Sequence, residues 1–133
     1  MTGLTKVDYR FIRIKGIQVR YSVQPGSGDG VLLLFNGIGA SLELLQPFID
    51  ELRYTTIVAY DAPGAGASSA PGYPWRPRRH VALAAALLDY LGYASVDVLG
   101  VSWGGMLAQQ FAHQYPTRCR RLTQTTQTSG PPK

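Results

Sequence analysis

The segment Val96-Asp97-Val98-Leu99-Gly100-Val101-Ser102-Trp103-Gly104-Gly105 constrains the fold more than any other part of the chain. An apolar run enters a Gly-x-Ser-x-Gly turn, and Met106-Leu107-Ala108-Gln109-Gln110-Phe111-Ala112 leads away from it as a helix. Strand, sharp turn and helix in that order are the setting of a nucleophile elbow, in which a serine stands exposed above the C-terminal edge of a sheet. Ser102 is then the candidate nucleophile. Gly100, Gly104 and Gly105 let the backbone turn and the helix pack close, and the amide of Trp103 points at the same spot.

The surrounding pattern is alternating strand and helix. Tyr9–Ile14 and Ile17–Val23 alternate polar with apolar residues across Lys15-Gly16, which predicts a hairpin with one face in solvent. Val31–Phe35 and Thr55–Tyr60 are continuous apolar runs, expected of strands buried on both faces. Ser41 is placed to cap a helix running to about Leu52, with Pro47 predicting a kink or restart. Pro77 opens a helix whose Val81, Ala84, Leu87, Leu88 and Leu91 share one face, and Gly92 closes it. A strand from Ser95 and the helix to about Tyr115 follow. This order argues a mostly parallel α/β sheet with the first hairpin as its antiparallel edge. Thr123–Lys133 has no apolar residue able to enter a core. It reads as a disordered tail after a domain portion spanning residues 1–122.

Composition narrows the class. The chain has 133 residues, 45% hydrophobic and 16% charged, as in a small globular domain. One cysteine, Cys119, leaves no internal disulfide framework and fits a reducing compartment. No apolar leader opens the sequence, and no run approaches the ~18 residues of a membrane span, so a cytoplasmic location is expected. The net charge of +5 owes much to Arg118, Arg120, Arg121 and Lys133, and the cluster Arg76, Arg78, Arg79 lacks aromatic interleaving. Nucleic acid is therefore not an expected partner. No His, Cys, Asp and Glu spacing suits a metal, and no cofactor is expected.

The chemistry of Ser102 requires a base and two oxyanion donors. Asn36-Gly37-Ile38-Gly39 closes the first buried strand, where the second donor is needed. The N–H of Ile38 is the candidate, with Gly37 and Gly39 leaving its approach open. Asp61 in Asp61-Ala62-Pro63-Gly64-Ala65-Gly66-Ala67-Ser68 reads as structural, accepting backbone N–H groups in a tight turn. His113 lies eleven residues along the same helix as Ser102, roughly 16 Å away. His80 is in the first turn of the Pro77 helix, a start expected away from the strand C-termini. Both histidines read as surface or packing residues.

Phe35-Asn36-Gly37-Ile38-Gly39-Ala40, Leu42-Glu43-Leu44-Leu45-Gln46-Pro47-Phe48, Val98–Gly105 and Ala108-Gln109-Gln110-Phe111-Ala112-His113 with Tyr115-Pro116 and Arg118-Cys119 resemble the intracellular poly(3-hydroxyalkanoate) depolymerases, serine hydrolases of the α/β-hydrolase fold. The elbow is shared by a very large superfamily, whereas the Asn-Gly-Ile-Gly loop is much narrower. The resemblance runs from about Tyr9 to Leu122. It implies carboxylic ester hydrolysis of a hydrophobic polyester, particularly of medium chain length, at a granule surface. Ser102 would form the acyl-enzyme, and the amides of Ile38 and Trp103 the oxyanion hole. A full member continues well beyond this length and carries its acid and histidine after the nucleophile. No position here matches either one, so the chain reads as an N-terminal half with weak activity at most. Two other readings stand beside this one: another α/β-hydrolase, of small-ester or haloperoxidase-like type, and a short non-catalytic protein binding a granule or partner through a sheet edge.

Overall fold

A computed structural model describes residues 8–36 and 41–125. Nine elements follow in chain order: β1 (Arg10–Ile14), β2 (Ile17–Gln24), β3 (Val31–Phe35), α1 (Leu42–Glu51), β4 (Thr56–Tyr60), α2 (Pro77–Leu91), β5 (Val96–Val101), α3 (Trp103–Gln114) and β6 (Cys119–Thr125). They form one six-stranded sheet in the order β1-β2-β4-β3-β5-β6. The first two pairings are antiparallel, and β4, β3, β5 and β6 run parallel. This is a mostly parallel α/β sheet with an antiparallel edge hairpin, as the order of elements in the sequence predicts.

The strand order sets the location of a site. From β3 the chain goes to β4 on one side and later to β5 on the other. The connections therefore diverge above the C-terminal ends of β3 and β5, the topological switch point where open α/β sheets hold ligands. Phe35 and Gly100 are register partners at that edge.

Helices cover both faces. On one face α2 and α3 bury Val81, Leu83, Ala84, Leu87, Leu88, Leu107 and Phe111 against Leu33, Phe35, Val58 and Val98. On the other, α1 places Leu42, Leu45 and Ile49 over Leu34, Ile57, Ala59 and Leu99. α1 runs unbroken through Pro47, where the sequence predicts a kink or restart. A proline inside a helix costs about 3 kcal/mol, and burying three such side chains contributes about 1.5–3 kcal/mol each, so the packed face prevails.

Three further expectations meet a different outcome. The β2 strand is not solvated on one face, since Val19, Arg20, Tyr21 and Ser22 are all buried, and the turn after β4 continues its pairing edge past Tyr21. There Ser68 Oγ accepts the Arg20 N–H at 2.9 Å and Ser69 Oγ accepts that of Gln18 at 2.9 Å. Ser41 makes no side-chain cap bond, and the first N–H of α1 instead donates to a buried carboxylate described below. The expected disordered tail at residues 123–133 begins inside β6, which stays in register with β5 as far as Thr125 opposite Val101. Its threonines are β-branched, and an edge strand tolerates polar side chains. Residues 126–133 lie outside the described residues. No described helix is long and apolar enough to cross a membrane.

Candidate functional site

Ser102 has φ 57° and ψ −122°, between the end of β5 and the first turn of α3. A non-glycine residue in that region stores about 1–3 kcal/mol, which the surroundings must impose. Here they do so by close approach. A Cβ on Gly104 would fall on the carbonyl oxygens of Phe35 and Asn36, and one on Gly100 would fall on the backbone of Gly104 and Gly105. Only glycine lets α3 start this near the end of β3. Gly105 N–H closes the turn on the Ser102 carbonyl at 2.8 Å. Ser102 itself is exposed.

The helix beyond is clasped by β6. Gln124 Nε2 donates to the Gly105 carbonyl at 2.7 Å, and Gln109 Nε2 donates to Gln124 Oε1 at 3.0 Å. Sequence reasoning missed Gln124 by assigning it to the tail. The signal was the β-branched alternation around it, outweighed by the lack of apolar residues.

Gly37, Ile38 and Gly39, the proposed second-donor loop, lie outside the described residues. Both flanks of that loop are held. Asn36 Nδ2 donates to the Ser41 carbonyl at 3.2 Å, and Leu42 N–H donates to Asp61 Oδ1 at 2.8 Å. Asp61 is fully buried, and its Oδ2 accepts from Ala67 N–H at 2.9 Å and Arg20 Nε at 2.8 Å. The Arg20 fork then grips Glu43 with two bonds of 2.7 Å. Arg20 holds the Glu43 carboxyl at about 2, far below its ordinary value, chiefly through those bonds. The arrangement matches the structural role read for Asp61, whose oxygens are occupied by frame contacts.

His80 is where structure and sequence reasoning part most clearly. α2 follows β4, so it starts at the C-terminal edge of the sheet, the same edge as Ser102. The His80 ring sits 5.4 Å from that of Trp103, the residue after Ser102. His113 occupies the last turn of α3, far from the turn that opens it. Burial, followed by the charge of Asp97, raises the Cys119 thiol above its ordinary range, which leaves it a poor nucleophile. Among the described residues no group of three His, Cys, Asp or Glu could hold a metal ion.

A strained, exposed serine between strand and helix, at the switch point of this sheet, defines an elbow of the α/β-hydrolase type. Residues 30–132 match the alpha/beta hydrolase fold family, and the chain belongs to it. Among its relatives is a poly(3-hydroxyalkanoate) depolymerase of Ectopseudomonas oleovorans, 47% identical over 124 residues. That similarity covers 92% of this chain and 44% of the depolymerase. A proline iminopeptidase of Levilactobacillus brevis is 43% identical over 83 residues, covering 59% of this chain and 27% of that protein. A solved hydrolase structure from Pseudomonas aeruginosa superposes with a TM-score of 0.81 at 31% identity, over 86% of this chain and 44% of the other. The chain thus spans less than half the length of these relatives.

Proposed function

We propose that this chain carries the nucleophile half of a serine ester hydrolase acting on a hydrophobic polyester of 3-hydroxy acids, by way of a Ser102 acyl-enzyme. The observation that carries the reading is the backbone of Ser102, held at φ 57° and exposed at the switch point. Strain of this kind clusters where a side chain must be presented to a ligand. The substrate class rests on the depolymerase similarity, which extends over 92% of the chain, against 59% for the iminopeptidase. A granule of such a polymer is the surface this reading expects the protein to meet.

In the reaction Ser102 Oγ attacks the ester carbonyl as its proton passes to a base, and the carbonyl oxygen becomes an oxyanion. The N–H groups of Trp103 and Ile38 donate to it, worth about 3–4 kcal/mol each in the transition state. In the sequence Gly37 and Gly39 flank Ile38 and carry no side chain that could block that approach. The adduct then re-forms the carbonyl, breaks the ester C–O bond and releases the alcohol with that proton, and water later frees the acid from Ser102. Asp61 does not serve as the acid, since its oxygens are committed to Leu42, Ala67 and Arg20. In this fold acid and histidine follow the nucleophile in chain order, in the part of the relatives' length this chain does not span. The oxyanion hole and binding alone give about 10³–10⁴ over water.

Treatment with an octyl fluorophosphonate, read by peptide mass spectrometry, tests the reading. The expected adduct is on Ser102, and it disappears in Ser102→Ala. Hydrolysis of 4-nitrophenyl octanoate is expected to be weak and to disappear with it. A chain that takes the adduct at other serines as readily as at Ser102 overturns the nucleophile assignment.

A further inference from the structure

Both tryptophans of the chain, Trp75 and Trp103, lie against one histidine. The His80 ring is 5.7 Å from Trp75 at 58° and 5.4 Å from Trp103 at 88°. His80 is nine-tenths buried, and its Nδ1 is buried with no hydrogen-bond partner. A neutral imidazole has one donor and one acceptor nitrogen. An orphaned buried N–H is rarer than an under-satisfied acceptor, so the geometry favours the proton on Nε2 with Nδ1 a bare acceptor.

We propose that neutral His80 is a positioning residue for Trp103: wedged between the two indoles, it holds the residue that follows Ser102, and it leaves the wedge when it takes up a proton. What this does for chemistry rests on the hydrolase reading, in which the Trp103 N–H meets the oxyanion.

The charged side chains next to His80 along the chain are all basic. On its own helix stand Arg76, whose carbonyl accepts the His80 N–H at 3.2 Å, together with Arg78 and Arg79. Asp89, the acid of α2, lies near the far end of the helix and pairs with Arg118 at 2.9 Å. The connection before α2 contributes Trp75, and the Arg79 guanidinium already stands 4.6 Å from the centre of that ring. An imidazolium beside Trp75 would meet this charge. From α3 the contact is Trp103, and the first titratable side chain along that helix is His113. Burial depresses the His80 pKa from its ordinary 6.5. Protonation at Nδ1 would leave a charged N–H buried without an acceptor, a heavier cost than the edge contacts recover, so the ring must move to water. In linkage terms, the unfolded chain binds this proton more readily. The stabilisation is complete above about 6.5 and is lost as pH falls from there through the folded value.

Fluorescence of the full chain excited selectively at tryptophan reads this cluster, since both tryptophans lie in it. The expected result is one transition in emission intensity and in acrylamide quenching between pH 8 and 4. Its midpoint lies below 6.5, it precedes any loss of far-ultraviolet circular dichroism, and it is absent in His80→Leu. His80→Phe serves as the second variant should the leucine variant misfold. Across the same transition the maximal rate of Ser102 phosphonylation falls by about 10²-fold, as when an oxyanion donor is lost, with the half-saturating reagent concentration unchanged. That component of the pH profile also vanishes in His80→Leu. A fluorescence transition that persists in both variants, or has its midpoint at or above 6.5, or coincides with global unfolding, overturns the proposal. Phosphonylation of other serines as fast as Ser102 counts against the hydrolase reading, and the fluorescence then decides the role of His80 separately.

Discussion

Two turns leave the C-terminal edge of the sheet on either side of β3, and they are held by opposite means. The turn after β4 is held by charge: a fully buried Asp61 gathers Leu42, Ala67 and Arg20, and Arg20 passes the connection to Glu43. The turn after β5 is held by missing side chains: Gly100 and Gly104 let backbone touch backbone, and Ser102 absorbs the strain at φ 57°. The first turn satisfies its polar groups and has nothing left to react with. The second presents one hydroxyl-bearing residue to solvent. A polar hub makes a frame, whereas a strained close contact makes a presentation device, and this edge needs both.

The comparison is tested hardest by removing the hub. Asp61→Ala strips Arg20 of its fully buried partner, leaving only the half-exposed Glu43 to face its charge, and leaves two backbone N–H groups without their acceptor. The expected loss is about 3–5 kcal/mol in urea unfolding, the cost of breaking a buried ion pair from one side. A loss below about 1 kcal/mol would mean that the frame is redundant. On the other turn, Gly104→Ala forces a methyl onto the Phe35 carbonyl. Backbone must then shift, and the expected loss is about 1–3 kcal/mol. Equal melting temperatures for this variant and the parent would contradict the close approach.

How much of this contrast the chain announces in advance depends on which kind of physics is at work. Val31–Phe35 is legible as a buried strand because five apolar residues in a row leave few alternatives, and its bounds agree with the structure. Pro77 and Gly92 mark both ends of α2, and Gly92 takes the left-handed cap at φ 87°. Gly-x-Ser-x-Gly between strand and helix is equally local, so the elbow is legible too. What escapes is set by distant partners. Arg20 looks like a solvent-facing position of an alternating strand until Asp61, 41 residues on, is beside it. Thr123-Gln124-Thr125 looks like tail until β5 offers it a ladder. His80 looks peripheral unless one follows the chain direction, since a helix after a parallel strand starts at that strand's C-terminal edge. The second-donor loop, Gly37 to Gly39, remains a sequence reading, flanked by observed anchors at Asn36 and Leu42.

Strain at the elbow has a signature that the frame lacks. Ser102→Gly is expected to raise stability by about 1 kcal/mol, since glycine adopts this backbone region freely, while it abolishes the fluorophosphonate adduct. Stability and reactivity then move in opposite directions at one residue. A variant that is destabilised, or unchanged, would show that the turn is relaxed and that the contrast with the Asp61 frame is one of chemistry alone.

The smallest effect sharpens the frame side of the comparison. Glu43 is the outer member of the Arg20 network and is more than half exposed, with 56% of its side-chain surface open. Solvent screening therefore limits Glu43→Gln to below about 1 kcal/mol near neutral pH. Its pH dependence is nonetheless distinctive. The carboxyl is held at about 2 by the Arg20 bonds, against an ordinary 4.5. Between those values the unfolded chain binds the proton and the folded chain does not, so stability rises with pH across that window. The contribution is complete above about 4.5 and disappears as pH falls towards 2. The difference in unfolding free energy between parent and Glu43→Gln should therefore close on acidification through that range, and shrink in 1 M salt, where the screening length is about 3 Å. If the difference is instead constant down to pH 2, Glu43 contributes by packing and the charged frame ends at Arg20 and Asp61.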